Sequence, residues 1–171
     1  MQTNGYLYAM RGLLAAMVIF SSACASVLSE AVLEQTDPDF PVGELYNDPE
    51  KYRGKAIVVG GTIINVVNEK SRGVIELLQR PLGSRLEPGR GDETQGRVLL
   101  VTDKILDDQI FYRGRKLTAA AEISGKETRP LDEITYTYPV LKIIEYHLWP
   151  IEGNAPSQPN FSIGIGIFHG F

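Results

Sequence analysis

The most distinctive chemical group in the sequence is the thiol of Cys24, the only cysteine among 171 residues. It follows an apolar run at residues 12–20, and small side chains flank it at Ala23 and Ala25. A thiolate is a strong nucleophile, and small neighbours leave the backbone accessible to a protease. A single cysteine excludes an internal disulfide and a multi-thiolate metal site. The pattern therefore favours covalent modification of this thiol.

The segment before Cys24 has the layout of an export signal. Arg11 is the only charged side chain before Glu30, and it precedes the apolar run. That run is too short to cross a bilayer, because a transmembrane helix needs about 20 apolar residues. A positive region, a short apolar core and a patch of small residues are the parts of a signal peptide. We therefore predict a signal peptide at residues 1–23, with an uncleaved membrane anchor as the alternative.

The four residues Ser21-Ser22-Ala23-Cys24 resemble the lipobox of bacterial lipoproteins. That resemblance implies that Cys24 is diacylated, that the chain is cut before it, and that the new amino group is acylated. Ser21 departs from the usual pattern, which has leucine or another aliphatic residue at this position. Two or three acyl chains are sufficient for stable anchoring in a membrane. By the same resemblance, the non-acidic Ala25 implies sorting to the outer membrane.

The segment at residues 24–41 is predicted to be the lipidated N-terminus and a tether. It lacks a sustained periodicity and ends in acidic residues bracketed by prolines. Fully extended, such a tether reaches at most about 60 Å. The last segment, residues 151–171, is predicted to be a flexible tail rich in glycine and aromatic residues. Its alternative is an edge strand or a segment that contacts a membrane or a partner.

The segment between these two, residues 42–150, contains five strand-like patterns. Gly60 and Gly61 interrupt the first one, and such glycines indicate a bend that lets one strand serve two sides of a small barrel. Asp48-Pro49 predicts a short helix that ends at Gly54, and residues 103–114 predict another. The order is typical of a mainly β fold, an OB-like five-stranded Greek-key barrel with short helices. The predicted strands lie at residues 55–69, 72–82, 97–103, 116–129 and 136–150.

Several stretches of this segment, taken in order, resemble the Slp family of bacterial outer-membrane lipoproteins, which is named for starvation induction. The stretches are NDPEKYRGKAIVVGGTI, IELLQRPL, GRVLLVTD, YTYPVL and EYHLW. The resemblance covers about residues 42–149 together with the lipobox. It implies an envelope lipoprotein with no established enzymatic activity, lipid-anchored in the cell outer membrane and facing the periplasm.

The remaining chemistry-bearing residues are few. His147 and His169 are far apart in sequence, and one cysteine does not complete a usual transition-metal site. The adjacent Asp107 and Asp108 point apart on a helix and are predicted to be solvated. A net charge of −4 gives no broad attraction for nucleic acid. We predict no metal, no cofactor, no catalytic residue and no nucleic-acid partner.

The predicted role is structural or binding, in envelope maintenance or stress, and not enzymatic. The predicted partners are the membrane, through acyl chains on Cys24, and an envelope protein or a glycan. One alternative is a binder of an oligosaccharide or another small ligand, since OB barrels bind across one sheet face. The candidate ligand face consists of Tyr136, Tyr138, Tyr146 and His147. The other alternative is an envelope hydrolase with a site on the barrel rim.

Overall fold

The computed structural model describes residues 26–150. The predicted signal peptide, Cys24 and the predicted tail lie outside the described residues. Among residues 26–150, no helix is both long enough and apolar enough to cross a membrane. Short helices precede the strands, namely α1 (Glu30–Leu33), α2 (Glu44–Asn47) and a 3₁₀ helix (Pro49–Tyr52). The strands are β1 (Ala56–Asn68), β2 (Gly73–Gln79), β3 (Arg97–Thr102), β4 (Lys116–Leu131) and β5 (Ile134–Leu148).

The strands form one closed barrel in the order β1-β2-β3-β5-β4, and β4 pairs with β1 to close it. The β3–β5 pair is parallel, while the other four pairs are antiparallel. This is the strand order of an OB barrel. The predicted mainly β fold with a five-stranded barrel is confirmed.

The glycine pair in β1 makes the corner that closes the barrel. Residues 56–62 pair with β4, whereas residues 61–68 pair with β2. A Cβ atom at Gly61 would collide with the carbonyl oxygen of Leu78, and one at Gly60 would lie 2.6 Å from the side chain of Leu82. The bend therefore depends on the missing side chains, as the sequence predicts.

The barrel interior is filled mainly by aliphatic residues that come from all five strands. The alternating residues of β4, Leu117, Ala119, Ala121 and Ile123, are fully buried in this core. Thr118, on the opposite face, is also buried. Its hydroxyl donates to the carbonyl of Leu86 at 2.6 Å and accepts from the indole of Trp149 at 3.0 Å, so the loop after β2 covers this part of the outer wall.

The helix predicted at residues 103–114 is wrong. The amides of Ile110 and Phe111 donate to the carbonyl of Asp107 at 3.0 and 2.8 Å, which makes a single turn. The side chain of Asn68 bonds both backbone groups of Leu106, at 2.9 and 2.8 Å. Because of these bonds, the backbone of Leu106 is not available for helical hydrogen bonds. Leu106 and Phe111 are buried, whereas Ile110 is 46% exposed.

The residues predicted as a tether lie against the barrel from Leu28 onward. Leu28 and Phe40 are 2% and 7% exposed. Asp37 forms a bridge to β1, and its carboxylate contacts Lys55 at 2.8 Å. The amide and hydroxyl of Ser29 donate to Glu145 of β5 at 2.9 and 2.5 Å. We call residues 26–41 the N-terminal strap.

Candidate functional site

A cluster of polar side chains lies on the outer face of β2, β3 and β5. The Glu76 carboxylate in β2 accepts from the guanidinium of Arg97 at 2.7 Å and from the hydroxyl of Tyr138 at 3.1 Å. The amide of Arg97 donates to the hydroxyl of Tyr136 at 3.2 Å. Tyr138 is only 2% exposed and packs with Val74 and other apolar residues outside the main core. The cluster joins the three strands by charge-assisted hydrogen bonds.

Two phenols, Tyr138 in this cluster and Tyr46 in α2, have raised pKa values. Burial raises the pKa of Tyr138, and the Glu76 carboxylate beside it raises the pKa further. Burial also raises the pKa of Tyr46, with a smaller contribution from Tyr136. At neutral pH both phenols are therefore uncharged. The Tyr138 hydroxyl donates to Glu76, whereas the Tyr46 hydroxyl is buried without a hydrogen-bond partner among the described residues.

Four side chains of alternating charge form a closed ring where the β1–β2 turn meets β4. Arg72 contacts Glu69 at 2.7 Å and Glu127 at 2.9 Å, and Arg129 contacts the same carboxylates at 2.8 and 2.7 Å. Hydrogen bonding by Arg72 lowers the pKa of Glu69. Burial acts to raise the pKa of Glu127, but hydrogen bonds from Arg129 and Arg72 outweigh it and the pKa is lowered. We call these four residues the ion-pair ring.

A groove of about 360 Å³ lies beside the ring, between β1–β2 and the far end of the β4–β5 hairpin. Its size is within the range of small-molecule sites. Glu76 and Arg129 bring charges to its lining, but each is engaged by an ion pair within the protein. The groove can therefore offer polar contacts without an unpaired charge from these two residues. Its lining includes Asn65, Glu76, Leu99, Arg129, Asp132 and Tyr138.

The four residues of the predicted ligand face separate into two groups along β5. Tyr136 and Tyr138 are together, with ring centroids 4.6 Å apart. Tyr146 lies toward the other end of the strand, edge-on to Phe111 at 5.4 Å, and His147 is edge-on to Trp149 at 4.9 Å. The groove contains one of the four, Tyr138, whose ring is buried.

Sequence reasoning did not identify Glu76, Arg97 or Arg129 as site residues. Glu76 gives a local signal, because it is a carboxylate inside the apolar strand Gly73–Gln79. The other two are recognisable only when the sheet pairing is known. Within residues 26–150, no group of three His, Cys, Asp or Glu side chains could hold a metal ion.

Comparison with known proteins concerns nearly the whole chain. Residues 22–166 match the outer membrane lipoprotein Slp family. The uncharacterized lipoprotein YeaY of Escherichia coli K12 is 24% identical over 167 residues, which are 94% of this chain and 86% of that protein. The outer membrane protein Slp of the same strain is 26% identical over 161 residues, which are 92% of this chain and 85% of that protein.

A solved structure overlaps the barrel weakly. The crystal structure of Schizosaccharomyces pombe Pot1pC bound to ssDNA covers 61% of this chain and 83% of that chain, at 9% identity. Its TM-score is 0.29, and an overlap of that size carries no structural or functional argument.

Proposed function

Because the chain belongs to the Slp family of outer membrane lipoproteins, we propose that acyl chains on Cys24 anchor it in the outer membrane, with the barrel facing the periplasm. The observation that carries this proposal is the position of the N-terminal strap. The strap is buried against the barrel from Leu28, four residues after Cys24, whereas Ser26 is exposed. Four residues span at most about 14 Å, so the acyl chains would hold the barrel close to the membrane surface.

The barrel then has a structural or binding role in envelope maintenance or stress, and not a catalytic one. The two carboxylates of the ion-pair ring fit this proposal, because each is engaged by two guanidinium groups and has a lowered pKa. A general acid or base works best with a pKa near the operating pH. The test is complementation of a deletion strain under envelope stress. We expect the wild-type chain to restore growth and Cys24→Ser to fail, whereas equal rescue would contradict a role that needs the anchor.

Anchoring is tested by lipid labelling and membrane fractionation in an enteric host. Cys24→Ser should abolish labelling and leave an uncleaved precursor, because a hydroxyl is a poorer nucleophile than a thiolate. Ala25→Asp should shift the protein toward the inner membrane, because lipoproteins retained there commonly have aspartate after the cysteine. Ala25→Ser is the matched control and should stay in the outer membrane. Normal processing of Cys24→Ser, with membrane attachment but no label, would contradict the proposal.

A second candidate function is the binding of a small polar ligand such as an oligosaccharide. The specific observation is the groove beside the ion-pair ring, with Asn65 and Asp132 on its rim. Binding there would use amide and carboxylate contacts, because the Tyr138 ring is buried. The test uses the unlipidated mature chain, which begins at residue 24 and carries Cys24→Ser. This chain is titrated with oligosaccharides and monitored by NMR. Shifts should be confined to groove residues and lost in Asn65→Ala, and shifts elsewhere would exclude this site.

A further inference from the structure

A second and larger pocket, of about 500 Å³, lies between the N-terminal strap and the loop after β2. Its size is also typical of a ligand site. Val58, on the opposite face of β1 from the core residues Ile57 and Val59, is half-buried and contributes to the lining. Further apolar lining comes from both sides, from Leu33, Phe40, Val42, Leu82 and Leu86.

Three of the polar side chains that line this pocket have partners within the protein, namely Thr36, Asp37 and Gln79. Thr36 donates to the carbonyl of Leu33 at 2.8 Å, and Asp37 pairs with Lys55. The side-chain amide of Gln79 donates to the carbonyl of Arg80 at 2.8 Å. A hydrocarbon occupant would leave these hydrogen bonds intact, so it would not incur the cost of unsatisfied buried polar groups. The chemistry of the pocket therefore suits an apolar chain.

The position of the pocket identifies a source for such a chain. Ser26 is part of its lining, and Cys24 stands two residues earlier in the sequence. The hydrogen bonds of Ser29 to Glu145 fix the strap to β5 close to this point. We propose that the pocket holds one of the acyl chains carried by Cys24 of the same molecule. The inference rests on the lipidation argued under the proposed function.

One sheltered chain is compatible with anchoring. A lipobox cysteine that carries three acyl chains keeps two for the bilayer, and two chains are sufficient for stable attachment. The sheltered chain would add a second contact between lipid and barrel, beyond the short connection from Cys24 to Leu28. The barrel would then be held in a defined orientation at the membrane.

Thiol labelling tests the proposal in the lipidated chain. Acylation blocks the thiol of Cys24, the only native cysteine, so an introduced cysteine is the one that reacts. Val58→Cys reports on the pocket. Val67→Cys is the matched control, since it lies in the same strand, outside this pocket, and is 41% exposed. Each variant is reconstituted in detergent-free vesicles and compared with the mature chain that begins at residue 24 and carries Cys24→Ser. Mass spectrometry first establishes the acyl chains on Cys24.

We expect maleimide to label Val58→Cys about tenfold more slowly in the lipidated chain than in the unlipidated one, as when the pocket is open about a tenth of the time. Val67→Cys should react equally in both. Equal rates for Val58→Cys would overturn the proposal. If Val58→Cys in the lipidated chain is protected only after free palmitate is added, the proposal is also overturned, in favour of a fatty acid taken from solution. Absence of acyl mass on Cys24 would instead refute the lipidation itself.

Discussion

Asn68 determines the path of the segment between β3 and β4 through a pair of hydrogen bonds to Leu106. Its side chain satisfies both the amide and the carbonyl of that residue, which is 5% exposed. Asn68→Ala leaves two backbone groups without this partner, so we expect the free energy of unfolding to fall by about 1–3 kcal/mol. Urea denaturation of the soluble mature chain measures the change.

The matched control is Asn65→Ala on the same strand. The side chain of Asn65 is exposed and accepts from the amide of the adjacent Val66. We expect a change within about 0.5 kcal/mol, as for most surface substitutions. Equal losses in the two variants would show that the bonds to Leu106 are not what stabilises the turn.

Gly61 is the residue whose role the sequence predicts best. The added methyl group of Gly61→Ala would meet the backbone of Leu78 and Gln79 in the paired strand. Because backbone cannot move aside as a side chain can, we expect a loss of about 2–4 kcal/mol, above the usual cost of overpacking. Gly83→Ala is the control, since its nearest neighbour would be 3.7 Å away. Thermal denaturation that ranks the two variants equally would contradict a tight corner.

The strands were predictable as elements because their signals are local. The alternation in β4 gives the buried face directly, and the glycine pair gives the bend in β1. The segment at residues 103–114 has apolar residues near helical spacing, yet Leu106 and Phe111 reach the core from the two ends of one turn. A long-range bond from Asn68 overrides that local pattern, and no local signal reveals it.

The composition of the N-terminal strap does not predict that it packs against the barrel. Its apolar residues are few and irregularly spaced, but Leu28 and Phe40 are buried. We expect a chain that begins at residue 42 to be less stable than one that begins at residue 26, by about 3–5 kcal/mol from the loss of Phe40 alone. Urea unfolding of the two chains is the measurement. Phe40→Ala in the longer chain should reproduce most of the loss, and equal midpoints for the two chains would contradict it.

The ion-pair ring ties the β1–β2 turn to the β4–β5 hairpin and makes stability depend on pH. The folded-state pKa values of Glu69 and Glu127 are lowered from 4.5. A lowered carboxylate pKa contributes stability that is present above the unfolded value and is lost as pH falls through the folded value. We therefore expect the urea midpoint to fall between pH 5 and pH 3.

The double variant Glu69→Gln with Glu127→Gln isolates the contribution of the ring. Its urea midpoint should depend less on pH over the same interval, because neither side chain titrates. Asp92→Asn, in the exposed part of the loop after β2, is the control and should keep the wild-type dependence. An unchanged slope in the double variant would assign the acid sensitivity to other carboxylates.

At the scale of the whole molecule, the closed barrel brings distant segments of residues 26–150 together at several places, two of which matter for binding. One is the groove beside the ion-pair ring, and the other is the pocket beneath the N-terminal strap. The lipobox at Cys24 remains a prediction from sequence alone, because a processing signal is a linear pattern. Neither cavity can be predicted from the sequence, since each is lined by segments that become neighbours only when β1 pairs with both β2 and β4.

The short connection between Cys24 and the strap predicts how far the barrel lies from the membrane. Trp149 is the single tryptophan, and through Thr118 it is linked to Leu86 of the pocket that Ser26 also lines. Brominated lipids in vesicles should therefore quench its fluorescence in the lipidated chain. An insertion of about 16 Gly/Ser residues after Ala25 adds a root-mean-square reach of roughly 20–24 Å, and we expect it to remove most of the quenching. The same insertion in the unlipidated chain is the control, and it should leave the emission unchanged. Equal quenching with and without the insertion would mean that something other than the length of the connection holds the barrel at the bilayer.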